Sequence, residues 1–419
     1  MAQYLISPPQ HMKGTIAISG SKNASLPILA AGLLCESPSF FENIPCLSDT
    51  QRMEQLLTCA GGICQRESFG TVSVCLPDGS KRKSAPLELV SKLRASFLVM
   101  GPLLARTGKI RIPLPGGCQI GARPIDLHLK GFAALGAKIR QGHGYVEAKC
   151  DHLTGTGIYL DFPSVGATEN LMLAASLADG TTVIENAAAE PEIVDLAECL
   201  IKMGADVTGA GTDTITIIGK KVLSPCRHKV IPDRIEAGTF LAMAAAARGD
   251  VTLTNVRPSH VKPVIAKLEE MGFDMEAGED MLHILPCEKF KAVDIKTLPY
   301  PGFPTDMQSQ FMALMSVADG TGVIVETIFE NRFMQVPELL RMGAKIKIDG
   351  RTAVIDGARR LSGAQVKATD LRAGASLVIA ALAAQGDTII NDIEHMERGY
   401  ENFVEKLTTL NINIQRCEN

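Results

Sequence analysis

An internal repeat constrains this chain more than any other feature. One signature is an alanine-rich apolar stretch, a turn with glycine and a β-branched run. It reads "LLARTGKIRI" (103–112), "SLADGTTVIENA" (176–187), "AAARGDVTLTNV" (245–256), "SVADGTGVIVET" (316–327) and "LAAQGDTIINDI" (382–393), with "AAGLLCESPSFFENI" (30–44) as a looser first copy. A second signature ends a helix at Gly-Ala or similar and continues into a hairpin: "CAGGICQRESFGTVSVCL" (59–76), "LGAKIRQGHGYVEA" (135–148), "MGADVTGAGTDTITIIG" (203–219), "MGFDMEAGEDMLHIL" (271–285) and "MGAKIKIDGRTAVIDG" (342–357). A shortened sixth copy, "LTTLNINIQRC" (407–417), closes the series. The spacing in both series is about 70 residues, longer than the common solenoid periods. Glycine at a helix end suits a left-handed cap. The alternating hydrophobics that follow suit strands with one buried face. Each copy thus predicts an α/β module with an apolar helix to bury, and six modules fit two closed clusters of three, helices inward and sheets outward. A chain of 419 residues is also too long for one typical core. The Pro- and Lys-containing stretch "KKVLSPCRHKVIP" (220–232) marks the expected break.

Composition narrows the function classes. A net charge of −4 with no Lys/Arg-rich run gives no footprint for nucleic acid. The first residues lack a basic region followed by a long apolar stretch, so no signal peptide is expected, and no run is long enough for a membrane span. Eleven cysteines without a CxxC pair fit free thiols in a reducing cytoplasm. Eight scattered histidines in no metal-ligand spacing leave a metal unsupported. An anionic ligand must therefore be held by a few placed cations.

Several such cations stand near expected helix starts. In "ISGSKNASLPILAAGLL" (18–34), Lys22 and Asn23 open an apolar helix, where unpaired N–H groups favour anions. The spacing is not that of a P-loop, and an ordinary cap at Ser21 or Asn23 explains the stretch as well. Arg94 of "LRAS" (93–96) falls in an apolar helix, on its surface or buried against an anion. "PLPGGCQIGARPIDLH" (113–128) carries Cys118 in a Pro/Gly loop, a conformation for a surface loop of the kind that often bears function. A thiol between Arg111 and Arg123 can be reactive; an inert free cysteine is the alternative. Arg123-Pro124 leads into the next helix. Ser164, Val165 and Gly166 of "DFPSVGATENLMLAASLA" (161–178) are either a plain cap or backbone donors to a phosphate. Asp306, after "PYPGFPT", is either an N-cap or a general base. Arg332, Asp370, Arg372 and Arg398 can each be a solvated face.

Taken together, "SGSKNASLPILAA", "LRAS", "PLPGGCQIGARPIDLH", "SVGATEN", "FPTDMQSQ", "ETIFENRFM", "TDLRAGASL" and "RGYENF" resemble the UDP-N-acetylglucosamine enolpyruvyl transferase family, in order and across nearly the whole chain. The resemblance implies a two-domain inside-out α/β barrel of six helix–sheet units, with 21–229 as one domain, 1–20 plus 230–419 as the other, and the active site in the cleft between them. It implies transfer of the enolpyruvyl group of phosphoenolpyruvate to the 3-hydroxyl of UDP-N-acetylglucosamine, with no cofactor, no metal, no nucleic acid and no membrane insertion. Cys118 then matches the general acid of a loop, a thiol that also forms a phosphoenolpyruvate adduct and is alkylated by fosfomycin. Asp306 matches the acceptor of the hydroxyl proton. Lys22, Arg123 and Arg398 match the cations that hold phosphoenolpyruvate. Asn23, Arg94, Arg123, Pro124, Ile125, Asp126, Leu127, Ser164, Val165, Gly166 and Ile328 match contacts to the nucleotide sugar, and Arg332, Asp370 and Arg372 match the second-domain cluster. Some members carry a lysine in the turn where this chain has Asp161-Phe162-Pro163. The related 5-enolpyruvylshikimate-3-phosphate synthase shares fold and donor but lacks the cysteine loop. A regulatory paralogue is the other alternative.

Overall fold

Six glycine-like corners mark the six modules. In the computed structural model, Gly61, Gly136, Gly204, Gly272 and Gly343 all follow a helix with positive φ, between 91° and 111°, and Asn411 takes the sixth position at 63°. A side chain with a Cβ is disfavoured there, and asparagine is the usual substitute for glycine. The structure describes residues 2–9, 11–67, 70–80, 87–114, 125–358 and 360–418.

After each corner comes the hairpin. In four modules it pairs antiparallel with the strand of the first signature, which in turn takes a parallel strand at its far edge. Thr181–Glu185, for example, lies between Thr214–Ile218 and the parallel Gly157–Tyr159. The sixth copy is short for a topological reason. Its missing hairpin strand is supplied by the other end of the sequence: Ala2–Ser7 pairs antiparallel with both Thr388–Asn391 and Asn413–Glu418.

The described residues form two compact units. One combines Met1–Ser19 with Pro232–Asn419, and the other takes its described residues from between Gly20 and Ile231. Each has its own hydrophobic core. In the first unit the helices Arg234–Ala246, Gln308–Met315 and Leu371–Ala383 are buried along almost their whole length. In the second, Lys22–Ala31, Met100–Thr107 and Val165–Ala175 hold that place. Four of these helices are rich in alanine, all but Met100–Thr107 and Gln308–Met315, so their backbones can approach closely, and strands with one buried face cover them. The architecture is thus the inside-out α/β arrangement. The stretch 220–232 is not a bare linker, because Arg227–Lys229 forms a parallel strand against Ser39–Glu42.

Candidate active site

The central helices of the first unit start polar and continue apolar. Asp233 caps one, accepting from the Ile235 and Glu236 amides at 2.8 and 3.0 Å. Asp370 caps another, accepting from the Arg372 and Ala373 amides at 2.8 and 3.0 Å. Burial of polar side chains on these first turns favours pairing, and most bond one another, although Arg372 Nε and Gln308 Nε2 are buried without a hydrogen-bond partner. Asp306 lies in the short 3₁₀ turn Thr305–Met307 before the third helix. Its Oδ1 accepts from Arg332 Nη2 at 2.8 Å and its Oδ2 from Arg372 Nη2 at 3.0 Å. Both arginines are buried, at 5% and 4% exposure. Use of both oxygens by guanidinium donors suits the ionised carboxylate.

Burial works against the charge on Arg372, but Asp306 and then Tyr400 more than offset it, and its pKa is raised. Arg372 Nη1 donates to the Tyr400 hydroxyl at 3.2 Å. Thr239 gives its single hydroxyl proton to the Ile235 carbonyl at 2.7 Å, so Tyr400 must be the donor in the 3.0 Å Tyr400–Thr239 bond. Gln310 completes the network, donating to Thr239 Oγ1 at 3.1 Å and to the Asp306 carbonyl at 2.8 Å. One connected set of bonds therefore fixes Asp306 relative to three helix starts. Nearby, the buried Glu326 carboxylate accepts from Thr297 and from the Ile328 and Phe329 amides through Oε1, and from Thr305 through Oε2. With its N–H so engaged, Ile328 keeps its carbonyl as the backbone group to offer a ligand.

Glu236 sits one turn beyond the Asp233 cap. It accepts from the Ser19 amide at 3.0 Å and from the Lys406 ammonium. Burial pushes its carboxyl up to about 7, against the pull of Lys406.

The second unit carries its own charged helix starts. Ser21 caps the Lys22–Ala31 helix, accepting from the Ala24 amide at 3.2 Å. The Lys22 ammonium lies 3.5 Å from Asp49 Oδ2, and Arg52 Nη1 lies 3.3 Å from Asp49 Oδ1. Arg94 is the first residue of a 3₁₀ stretch, Arg94–Val99, that runs directly into the helix Met100–Thr107, so it stands at the entry of the expected apolar helix. His128 lies on the first turn of Asp126–Ala134. Burial, reinforced by Arg94, pulls its pKa down to about 3, so the ring is neutral. Its Nδ1 lies 3.1 Å from the Asn170 amide nitrogen, and its edge meets Phe97 at 5.1 Å. Asn170 also donates to the Phe97 carbonyl at 2.9 Å and accepts from the Gly101 amide at 2.7 Å. A Cβ on Gly101 would come within 2.3 Å of the Asn170 carbonyl, so only glycine fits. Ser164 caps Val165–Ala175, accepting from the Ala167 amide at 3.4 Å, and a Cβ on Gly166 would touch His128 at 3.5 Å. Arg94, His128 and the start of the Ser164 helix are therefore one neighbourhood.

The sequence-derived residues thus fall into two groups. Asp306, Arg332, Asp370 and Arg372 come together in the first unit, and burial of Arg332 and Arg372 overturns the solvated-face alternative for both. The N-cap alternative for Asp306 also fails, because Pro304 holds the cap position and the carboxylate turns to the arginines. Arg398, half-buried, ends the short helix Glu394–Glu397 instead of starting one. In the second unit Lys22 and Asn23 start one helix, and Ile125, Asp126 and Leu127 stand at the start of another. Cys118, Arg123 and Pro124 lie outside the described residues. Sequence reasoning missed His128, Asn170, Asp49, Thr239, Gln310 and Tyr400. His128, Asn170, Gln310 and Tyr400 stand inside the quoted motifs, and for His128 and Asn170 polarity beside apolar residues was the available signal.

A family model described as EPSP synthase (3-phosphoshikimate 1-carboxyvinyltransferase) matches residues 6–407. The enolpyruvyl transferase NikO from Streptomyces tendae superimposes with a TM-score of 0.88 at 26% identity, covering 99% of this chain and 98% of the other. An EPSP synthase from Acinetobacter baumannii shares the fold, with a TM-score of 0.77 at 19% identity over 100% of both chains. Fold and family model define an enolpyruvyl transferase. A UDP-N-acetylglucosamine 1-carboxyvinyltransferase 1 from Caldanaerobacter subterraneus subsp. tengcongensis is 59% identical, covering 98% of each chain. A UDP-N-acetylglucosamine 1-carboxyvinyltransferase 2 from Carboxydothermus hydrogenoformans is 56% identical, covering 99% of each chain. The chain belongs to the UDP-N-acetylglucosamine 1-carboxyvinyltransferase family and is an enzyme.

Proposed function

We propose that this enzyme transfers the enolpyruvyl group of phosphoenolpyruvate to the 3-hydroxyl of UDP-N-acetylglucosamine, releasing phosphate, in the first committed step of peptidoglycan synthesis. The observation that carries the reading is the full-length likeness to relatives of that name, at 59% and 56% identity, against 19% for the EPSP synthase structure. The reaction is an addition followed by an elimination. The sugar hydroxyl attacks C2 of phosphoenolpyruvate while C3 takes a proton, and the tetrahedral adduct then loses phosphate. Asp306 receives the hydroxyl proton, and its two arginine partners keep the carboxylate aimed. Cys118 supplies the proton to C3. Lys22, Arg123 and Arg398 hold the phosphate and carboxylate of the donor through charge-assisted bonds, worth about 1.5–3 kcal/mol each. Asn23, Arg94, Pro124 to Leu127, Ser164 to Gly166 and the Ile328 carbonyl hold the nucleotide sugar, and Asp370 sets Arg372 as the cap of its helix. A neutral His128 suits this site, since it adds no charge beside Arg94. Free thiols and a nucleotide-sugar acceptor fit a cytoplasmic setting; among the described residues no helix is long and apolar enough to cross a membrane.

The test is phosphate release from phosphoenolpyruvate. Release is expected only with UDP-N-acetylglucosamine present. Release with shikimate 3-phosphate in its place, or with no acceptor, overturns the assignment. Fosfomycin is expected to add its mass to the Cys118 peptide; labelling of a different cysteine removes the special role of that loop.

A further inference from the structure

Away from these residues, the second unit holds two thiols in contact. Cys199 lies on the helix Pro191–Lys202, and Cys226 immediately precedes the strand Arg227–Lys229. Their sulfurs are 3.9 Å apart. Cys199 is fully buried and Cys226 half-buried. Backbone bonds fix Cys226 on both sides: its amide donates to Ser39 Oγ at 3.2 Å, and its carbonyl accepts from the Phe40 amide at 2.8 Å.

A polar chain runs beside the pair. Lys202 Nζ lies 3.0 Å from His228 Nδ1, and His228 Nε2 lies 2.9 Å from Asp195 Oδ1. An ammonium only donates, so Nδ1 accepts and Nε2 carries the proton that Asp195 receives. Asp195 Oδ2 also accepts from the Ile231 amide at 3.2 Å. Lys202 is thereby anchored on the helix that carries Cys199, where its charge acts on Cys226.

We infer that Cys199 and Cys226 form a reversible modification site for hydroperoxides, with Cys226 the reacting thiolate and Cys199 the resolving thiol. The Cys226 pKa is lowered, first by the hydrogen bond from Cys199 and, against burial, by Lys202 and Ser39. Cys199 is raised well above the usual thiol range by that same bond and by burial. This division of roles is what a reactive thiolate and a protonated partner require. In the first step the Cys226 thiolate attacks a peroxide oxygen. The S–O bond forms, the O–O bond breaks, sulfur is oxidised, and the peroxide is reduced, its departing oxygen leaving as water or an alcohol after taking a proton. In the second, Cys199 displaces the hydroxyl of the sulfenic acid. The S–S bond forms, the S–O bond breaks, and the Cys199 proton leaves with the hydroxyl as water. The sulfurs must close from 3.9 Å to about 2.05 Å. The disulfide ties the Pro191–Lys202 helix to the unit's last strand. Cys35 is the nearest competitor, but its thiol donates to the Leu223 carbonyl, and burial, then Cys226, pushes it up to about 11.

The reduced full chain is treated with hydrogen peroxide, the remaining thiols are alkylated, and the digest is mapped by mass spectrometry. The expected product is a Cys199–Cys226 crosslinked peptide lighter by two hydrogens, restored by dithiothreitol. A Cys226–Cys35 disulfide, direct overoxidation of Cys226, or full alkylation of both thiols after peroxide overturns the inference. In Cys199→Ser the sulfenic acid has no partner, so dimedone labelling of Cys226 is expected to rise several-fold over wild type. No rise defeats the resolving role. Lys202→Gln is expected to slow Cys226 oxidation several-fold, and an unchanged rate removes Lys202 from the site. The mapping on wild-type protein stands even if a variant fails to fold.

Discussion

Each unit sets one carboxylate between two cations, and the two arrangements differ in tightness. In the first unit Asp306 meets two buried guanidiniums at 2.8 and 3.0 Å. In the second, Asp49 meets an ammonium at 3.5 Å and a more exposed guanidinium at 3.3 Å. Arginine's planar fork suits fixed geometry, while lysine's flexible point charge suits a partner that changes. The first set holds an orientation. The second holds its lysine at longer range, 3.5 Å from the carboxylate. The same residue pattern thus gives a tight set in one place and a looser one in the other.

The sharpest way to break this comparison is at Asp306. Asp306→Ala leaves Arg332 and Arg372 without their shared partner, and a loss of about 3–5 kcal/mol of stability is expected in urea unfolding. Asp306→Asn preserves the shape, so its stability loss is expected to be smaller, while turnover falls by about 10²–10⁴-fold. Equal turnover in Asp306→Asn and wild type would show that the carboxylate only positions.

Next in size is a pH effect that differs in sign between the units. Glu236, in the first unit, has its folded pKa raised from 4.5 to about 7. The folded state then binds the extra proton, so its contribution is complete below pH 4.5 and is lost as pH rises towards 7. The loss amounts to about 3 kcal/mol by linkage, and Glu236→Gln should flatten that slope in urea midpoints. His128, in the second unit, has its folded pKa lowered from 6.5 to about 3. Its contribution is present above pH 6.5 and lost as pH falls towards 3. A His128→Gln variant with an unchanged acid limb would show that folding leaves the His128 pKa unshifted.

Smaller effects sharpen the contrast. Asp49→Ala is expected to cost less than Asp306→Ala, about 1–3 kcal/mol, since Asp49 is buried but Lys22 and Arg52 reach solvent more than Arg332 and Arg372 do. A cost equal to that of Asp306→Ala would erase the difference between the two arrangements. Tyr400→Phe removes the hydroxyl between Arg372 and Thr239, and about 1 kcal/mol is expected, with a fall in turnover but little change in KM.

What could be read from the sequence was local. The left-handed corners at Gly136 or Gly204 lie where the helix and hairpin patterns meet, so the repeat announced itself. The Ser21 cap and the Lys22 helix start were visible for the same reason. Asp306 was visible as a residue but not as a partner, because Arg332 and Arg372 lie 26 and 66 positions away. Tyr400 and Thr239 are separated by 161 positions, and nothing in either segment points to the other. The role of Ala2–Ser7 was hidden likewise, since only pairing across the whole chain reveals it as the missing strand.

That strand has a consequence for how the protein is made. On the ribosome Ala2–Ser7 is synthesised hundreds of residues before Thr388–Asn391 and Asn413–Glu418. The unit between Gly20 and Ile231 has its sheet strands to hand long before then. Vectorial synthesis therefore lets that unit fold first, while a short apolar strand waits with open edges. A nascent chain halted before residue 388 should carry one protease-resistant unit and an unpaired leading strand, a state in which chaperones and aggregation compete for the same six residues.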